Sequence, residues 1–177
     1  VEVTLESGKT TKENIIKQCG YVVDYYGISN FLEEALAIFD KEDLGKPMES
    51  LDDLYNEMLS YVNKYRSEVN VSLLSMDDDL NLAATIRAIE MAYSKKFSHF
   101  RPDGNMCYSV IGDLDISARS LGENVAYGQK TAAAVSEVWK NSTSGHYENM
   151  VNAMFTRVGF GKFTLNGKTY WVQMFAG

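Results

Sequence analysis

Of the 177 residues only two are histidines, His99 and His146, and each lies in a dense polar run. The first run is Ser98-His99-Phe100-Arg101-Pro102-Asp103-Gly104. The second is Ser142-Thr143-Ser144-Gly145-His146-Tyr147-Glu148-Asn149. Between them lies Leu121-Gly122-Glu123-Asn124-Val125-Ala126-Tyr127. Imidazole is the commonest protein ligand for zinc and the usual proton carrier near neutral pH. A fold that gathers the three segments makes one polar site with two imidazoles and a carboxylate. His99 and His146 could then hold Zn2+ or another divalent metal. Two imidazoles leave a tetrahedral ion short of protein ligands, so water or a carboxylate must complete the shell. The competing reading is structural, with each ring satisfied by backbone groups. That both of the chain's histidines fall in such runs favours a shared site.

Other chemistry has weaker support. There is no His-Glu-x-x-His helix and no nucleophile elbow. No cysteine is coupled to a histidine by a recognisable motif. Ser98 and Ser142 stand beside the histidines and keep a Ser–His arrangement open. Asp77-Asp78-Asp79 lacks the alternating ligands and distal Glu of a calcium loop. It suits a helix N-terminus, where carboxylates face the positive end of the dipole. Arg101 and Asp103 read as a loop ion pair, and Asn124 as a loop-fixing amide. Trp139 and Trp171 read as core, while Tyr147 could line a cleft or pack.

The elements that must carry these residues follow from periodicity. Residues 1–10 look extended and poorly fixed. Ile15, Ile16, Cys19, Val22, Val23 and Tyr26 predict a helix that Gly27 stops. Asn30 with Glu33 starts a second, carrying Phe31, Leu32, Ala35, Leu36 and Phe39. Leu51, Leu54, Tyr55, Met58, Val62 and Tyr65 predict a long helix to about Arg66. Another carries Leu80, Ala83, Ala84, Arg87, Ala88 and Met91 and ends near Ser94. Residues 96–130 read as a long Gly-, Ser-, Asp- and Asn-rich loop, a length that is usually functional or hides short elements. Thr131 caps a short helix with Trp139, and a second holds His146. The chain ends in two strands around Asn166-Gly167, a strong hairpin signal.

Bulk properties bound the function. The length suits one domain with an appendage, divided here as 1–48 and 49–177. A net charge of −7 and pI of about 4.9 argue against binding nucleic acid or anionic lipid through bulk charge. No apolar run approaches the roughly 20 residues that cross a bilayer. No signal-peptide pattern is visible at Val1, which is silent on compartment. Cys19 and Cys107 permit one bridge or two buried thiols. Asn70-Val71-Ser72 and Asn141-Ser142-Thr143 match the glycosylation pattern, which means little if the source is bacterial.

From about residue 51 onward the order of motifs resembles the CAP superfamily, the cysteine-rich secretory, antigen 5 and pathogenesis-related proteins, in its bacterial secreted form. The resemblance rests on Asn63-Lys64-Tyr65-Arg66, Leu74-x-Met76-Asp77-x-x-Leu80-x-x-Ala83 and His99-Phe100-Arg101-Pro102-Asp103-Gly104. It continues through Gly122-Glu123-Asn124-Val125-Ala126, Trp139-x-x-Ser142 with Gly145-His146-Tyr147, and Val158-Gly159-Phe160-Gly161. It implies an α+β fold, a three-layer α-β-α sandwich with an added N-terminal helical segment. It also implies a cleft with a tetrad of two His and two Glu, whose His pair can hold a metal. Carried over, His99, Glu123 and His146 are three of the four. Ser142 stands where animal members have the second acidic residue, and Glu137 is the nearest carboxylate. Val62 stands where many members have His. Residues 1–48 match nothing in the shared domain.

Two functions are in view. One is a secreted, extracellular or cell-surface binding module whose cleft takes a lipid, peptide or cell-wall component, with a protein partner at the N-terminal helices. The other is a metal-dependent hydrolase or protease with Glu123 as general base. The first is favoured.

Overall fold

The computed structural model describes residues 2–4, 10–12 and 51–177. The chain divides into two units, Val1–Met48 and Glu49–Gly177. In the first, strands β1 (Glu2–Thr4) and β2 (Thr10–Lys12) pair antiparallel, with Glu2 opposite Lys12. The extended start is therefore a paired ribbon. The helical pair expected from Ile15 to Phe39, with Cys19, lies outside the described residues.

The second unit runs α1 (Leu51–Glu68), β3 (Ser75–Met76), α2 (Asp78–Ser94), α3 (Ser109–Asp113), β4 (Leu121–Tyr127), α4 (Ala132–Lys140), α5 (His146–Met150), β5 (Arg157–Leu165) and β6 (Lys168–Ala176). The sheet order is β3-β5-β6-β4. Among the described strands of this sheet, β3 and β5 pair parallel and the other pairs are antiparallel. Asn166 and Gly167 both take positive φ, so the β5–β6 hairpin turns as their types predict.

β6 is central, and its residues alternate between the two faces. Trp171 and Phe175 pack with Leu54, Met58, Val62 and Tyr65 of α1 and Val135 and Trp139 of α4. Tyr170, Val172 and Met174 pack with Leu80, Ala83, Ala84, Ala88 and Met91 of α2 and with Val110 and Ile111 of α3. Helices on both faces of one sheet make a three-layer α-β-α sandwich. α2 sits hard on the sheet because β5 presents glycines to it. A Cβ on Gly161 would lie 2.2 Å from the Ala84 carbonyl carbon, and one on Gly159 would lie 2.1 Å from that of Leu80.

The long loop 96–130 contains α3 and β4. Strand β4 escapes the alternation rule because Glu123 and Asn124, at its centre, are buried polar residues. The Asn-x-x-Arg of α1 is a structural clamp. Asn63 exchanges two hydrogen bonds with the Leu74 backbone, at 2.8 and 3.0 Å. Arg66, wholly buried, donates to the carbonyls of Ser72, Met150, Asn152 and Phe155.

Candidate functional site

The site lies beside the edge strand β4, between the loop that follows α2 and the segment that leads into α5. Asp77 caps α2, its side chain accepting from the Leu80 N–H at 3.0 Å, and Arg157 pairs with the same carboxylate at 2.6 Å. The Asp77-Asp78-Asp79 run is thus a helix start. Capped there and seated on the β5 glycines, α2 brings Arg87 and Glu90 to the sheet edge. Lys95 ends it in the left-handed region. The chain turns back through His99, and the Cys107 N–H binds the His99 carbonyl at 2.8 Å.

His99 Nδ1 lies 2.6 Å from Glu123 Oε2, and Arg87 Nε donates to Glu123 Oε1 at 2.8 Å. The side chains of Arg87 and Glu123 are wholly buried, while that of His99 is 47% exposed. Burial alone would lower the Arg87 pKa, but bonds and charge from Glu123 and Glu90 outweigh it and raise it. Cys107 also approaches Glu123. Burial first, then the charge and hydrogen bond of Glu123, push its thiol up to about 12, against a smaller pull from Arg87. Cys107 is a free, buried thiol.

On the other side of β4, the Asn124 amide donates to the His146 carbonyl at 2.9 Å and to Gln173 Oε1 at 3.0 Å. It accepts from Asn149 Nδ2 at 2.9 Å. Asn124 thereby ties α5 to the sheet. Ser142 Oγ lies 2.7 Å from His146 Nδ1. Burial lowers the His146 pKa, and repulsion from His99 lowers it further, against a smaller opposing pull from Glu148.

The two imidazoles line one cavity of about 270 Å³, with Met106, Tyr108, Glu123, Ser144, Gly145 and Asn149. Each ring is engaged at Nδ1, and neither Nε2 has a hydrogen-bond partner among the described residues. This is the arrangement that suits histidine ligands, one nitrogen oriented by a neighbour and the other open. A ring nitrogen of His99, Cys107 Sγ and a Glu123 oxygen also lie within 4.8 Å of one another, so this group could hold a metal. Its donors are poorly prepared for that. The thiol holds its proton, and Glu123 already receives Arg87 and His99.

The remaining candidates lie elsewhere. Glu137 does not join the cluster: it is exposed on α4 and accepts from Asn141 Nδ2 at 2.7 Å. Helix positions two apart do not share a face, and Trp139, two residues on, points into the core. Arg101 pairs with Glu90 at 2.7 Å and with Asp113 at 2.5 Å, not with Asp103. Asp103 is turned into its own loop by bonds from the Asn105 backbone and amide. Ser98 Oγ accepts from the Phe100 N–H, and Ser142 lies behind the His146 ring, so neither serine faces the cavity. Tyr147 packs against the α1 side of the core, and Trp139 and Trp171 are wholly buried. Arg87, which holds Glu123, shows in the sequence only as one of an apolar stripe. A charged residue on that stripe is the available sign of a buried ion pair.

A model of the CAP cysteine-rich secretory protein family matches residues 59–175. The chain is a bacterial member of the CAP superfamily. It is 30% identical over 121 residues to the uncharacterized protein YkwD of Bacillus subtilis (strain 168), which covers 68% of this chain and 46% of YkwD. An extracellular protein containing an SCP domain from Bacillus anthracis str. Ames has the same fold at 24% identity and a TM-score of 0.61. That match covers 75% of this chain and 45% of the other. An outer surface protein of Borrelia burgdorferi matches at 24% identity and a TM-score of 0.64, over 74% and 96% of the two chains. NaASP2, solved with Zn2+, shares the fold at 18% identity and a TM-score of 0.50, over 75% and 82%. The CAP chain described here spans about half the length of YkwD and of the B. anthracis protein. No helix among its described residues is long and apolar enough to cross a membrane.

Proposed function

We propose that this CAP domain is a secreted extracellular binding module whose cleft takes a divalent metal, Zn2+ foremost, on His99 and His146. The observation that carries the reading is that His99 and His146 line one cavity, each ring engaged at Nδ1 and with no hydrogen-bond partner at Nε2 among the described residues. Bound there, the metal would supply a Lewis-acid centre for an anionic or carbonyl group. The descriptions of relatives as extracellular and outer-surface proteins support the compartment, and the NaASP2 structure with Zn2+ supports the metal. The cavity's small size and its mixed lining, with Met106 and Tyr108 beside His, Glu, Asn and Ser, suit a short peptide or cell-wall fragment better than a long lipid chain. The hydrolase reading needs a carboxylate free to take a proton from water. Both Glu123 oxygens are engaged, which weighs against it.

Calorimetry with zinc on the parent chain, His99→Ala and His146→Ala tests the reading. Binding by the parent and loss in each variant supports it. Equal uptake by all three is adventitious binding and defeats it. Zinc-dependent hydrolysis of peptides or cell-wall fragments, lost in Glu123→Gln, would move the assignment to the hydrolase.

A further inference from the structure

Two of the three guanidinium nitrogens of Arg87 serve the surroundings of one residue, His99. Nε donates to Glu123 Oε1 at 2.8 Å, and Glu123 Oε2 meets His99 Nδ1 at 2.6 Å. Nη2 donates to the carbonyl of Ser98, next to His99 in the chain, at 2.8 Å. Nη1 donates to Glu90 Oε2 at 2.7 Å. Glu90 is gripped in turn by Arg101, which reaches Asp113 at the surface. An alternating chain of charges thus runs Asp113–Arg101–Glu90–Arg87–Glu123 and ends on the His99 ring.

Direction follows from donor and acceptor types. Guanidinium has only donors, and a carboxylate has only acceptors. With Arg87 on one oxygen, Glu123 presents the other to His99 as an acceptor. The shared proton then sits on Nδ1 and leaves a lone pair on Nε2. We propose that Arg87 is the positioning residue of the cleft, fixing His99 as the Nδ1–H tautomer through Glu123 and fixing its backbone through Ser98. The inference rests on reading the cleft as a metal-binding site, and it makes a claim that can be read without metal.

Glu123→Gln separates this role from a merely structural one. The amide keeps the carboxylate's shape but has one accepting and one donating end. Arg87 accepts nothing, so it must take the amide oxygen. The NH2 then faces His99 Nδ1, which turns acceptor, and the proton moves to Nε2. In Arg87→Met/Glu123→Gln the amide is free to flip, and the Nδ1–H tautomer returns. No ion pair is left half-made at Glu123, so the double variant also guards against simple unfolding.

Long-range proton–nitrogen correlation of the imidazoles reads these states in metal-free protein, above the imidazole titration range, with backbone spectra to check the fold. The expected series for His99 is Nδ1–H in the parent, Nε2–H in Glu123→Gln, and Nδ1–H again in the double variant, with His146 unchanged throughout. Zinc affinity should fall about 10- to 100-fold in Glu123→Gln, as for other partners that orient a ligand, and recover in part in the double variant. A His99 tautomer that stays Nδ1–H in Glu123→Gln, or stays Nε2–H in the double variant, overturns the proposal. If the tautomers switch while the parent binds no zinc, Arg87 keeps its role and the metal reading fails. If the parent binds zinc and neither tautomer nor affinity changes, the metal reading stands and this proposal falls.

Discussion

Ser142 Oγ lies 2.7 Å from His146 Nδ1, at the position where the family resemblance leads one to expect a carboxylate. A hydroxyl donates or accepts, so it serves either imidazole tautomer. The two rings are thus held unequally: Glu123 dictates the state of His99, and Ser142 follows that of His146. Ser142→Ala should therefore weaken zinc binding by about tenfold or less, the low end of the range for ligand-orienting partners. Ser142→Asp supplies an acceptor only and should strengthen it. Calorimetry on the pair decides. The reverse order would mean that Ser142 does not orient the ring.

Metal-free His146 should titrate below the ordinary value of 6.5, because burial and then the neighbouring His99 disfavour its charged form. The folded state therefore binds this proton less tightly than the unfolded chain. The contribution of neutral His146 to stability is present above about pH 6.5 and is lost as pH falls through its lower folded midpoint. Zinc affinity should fall in the same direction, since protonated imidazole cannot ligate. An NMR titration should place the midpoint below 6.5, and His99→Gln should move it partway back up. A midpoint at or above the ordinary value would show the ring to be solvated.

How legible the site is in the sequence depends on where each residue's signal lies. His99, Glu123 and His146 stand out because polar types cluster around them in a fixed order, and the fold places all three on one cavity. β4 is hidden, because a buried Glu and Asn break the apolar alternation by which a strand is recognised. Arg87 is hidden in the opposite way. Its spacing fits the core stripe of α2, and only its charge is out of place there. Glu137 is suggested by its nearness in the chain to Trp139, and helix geometry turns it outward. The ion pairs of Arg101 join Glu90, eleven positions earlier, and Asp113, twelve later. Pairing at such separation depends on tertiary structure and leaves no pattern in a single sequence.

Cys107 should be chemically silent in the folded protein. Burial and the adjacent Glu123 raise its pKa to about 12, so almost no thiolate exists near neutrality. In a Cys19→Ser background it is the only thiol of the chain. Iodoacetamide at about pH 8, near the ordinary thiol pKa, should leave the native protein unlabelled while labelling it rapidly in urea. The thiol's contribution to stability is present below the unfolded thiol pKa and is lost as pH rises toward 12. Rapid labelling of the native state would mean that Cys107 is open to the cavity.

Arg66 should matter to the cleft without touching it. It has no acidic partner among the described ion pairs. Four carbonyls carry its charge instead, and burial pulls its pKa below the ordinary guanidinium value. One of those carbonyls belongs to Met150, the last residue of α5, whose first residue is His146. The other three tie down Ser72, Asn152 and Phe155. Arg66→Met keeps much of the stem and leaves the four acceptors without their donor. Each hydrogen bond to a charged group contributes about 1.5–3 kcal/mol, and solvent entry will restore part. A net loss of roughly 3 kcal/mol lowers the melting temperature by roughly 6–12 °C for a domain of this size. Arg66→Lys should recover little, because a compact ammonium cannot span carbonyls on two separate segments. In both variants the His99 tautomer should stay Nδ1–H, since Arg87 and Glu123 are untouched. Calorimetric melting with the imidazole spectrum checks both halves. A variant that melts with the parent would show that Arg66 is not the clamp that holds α5 in place.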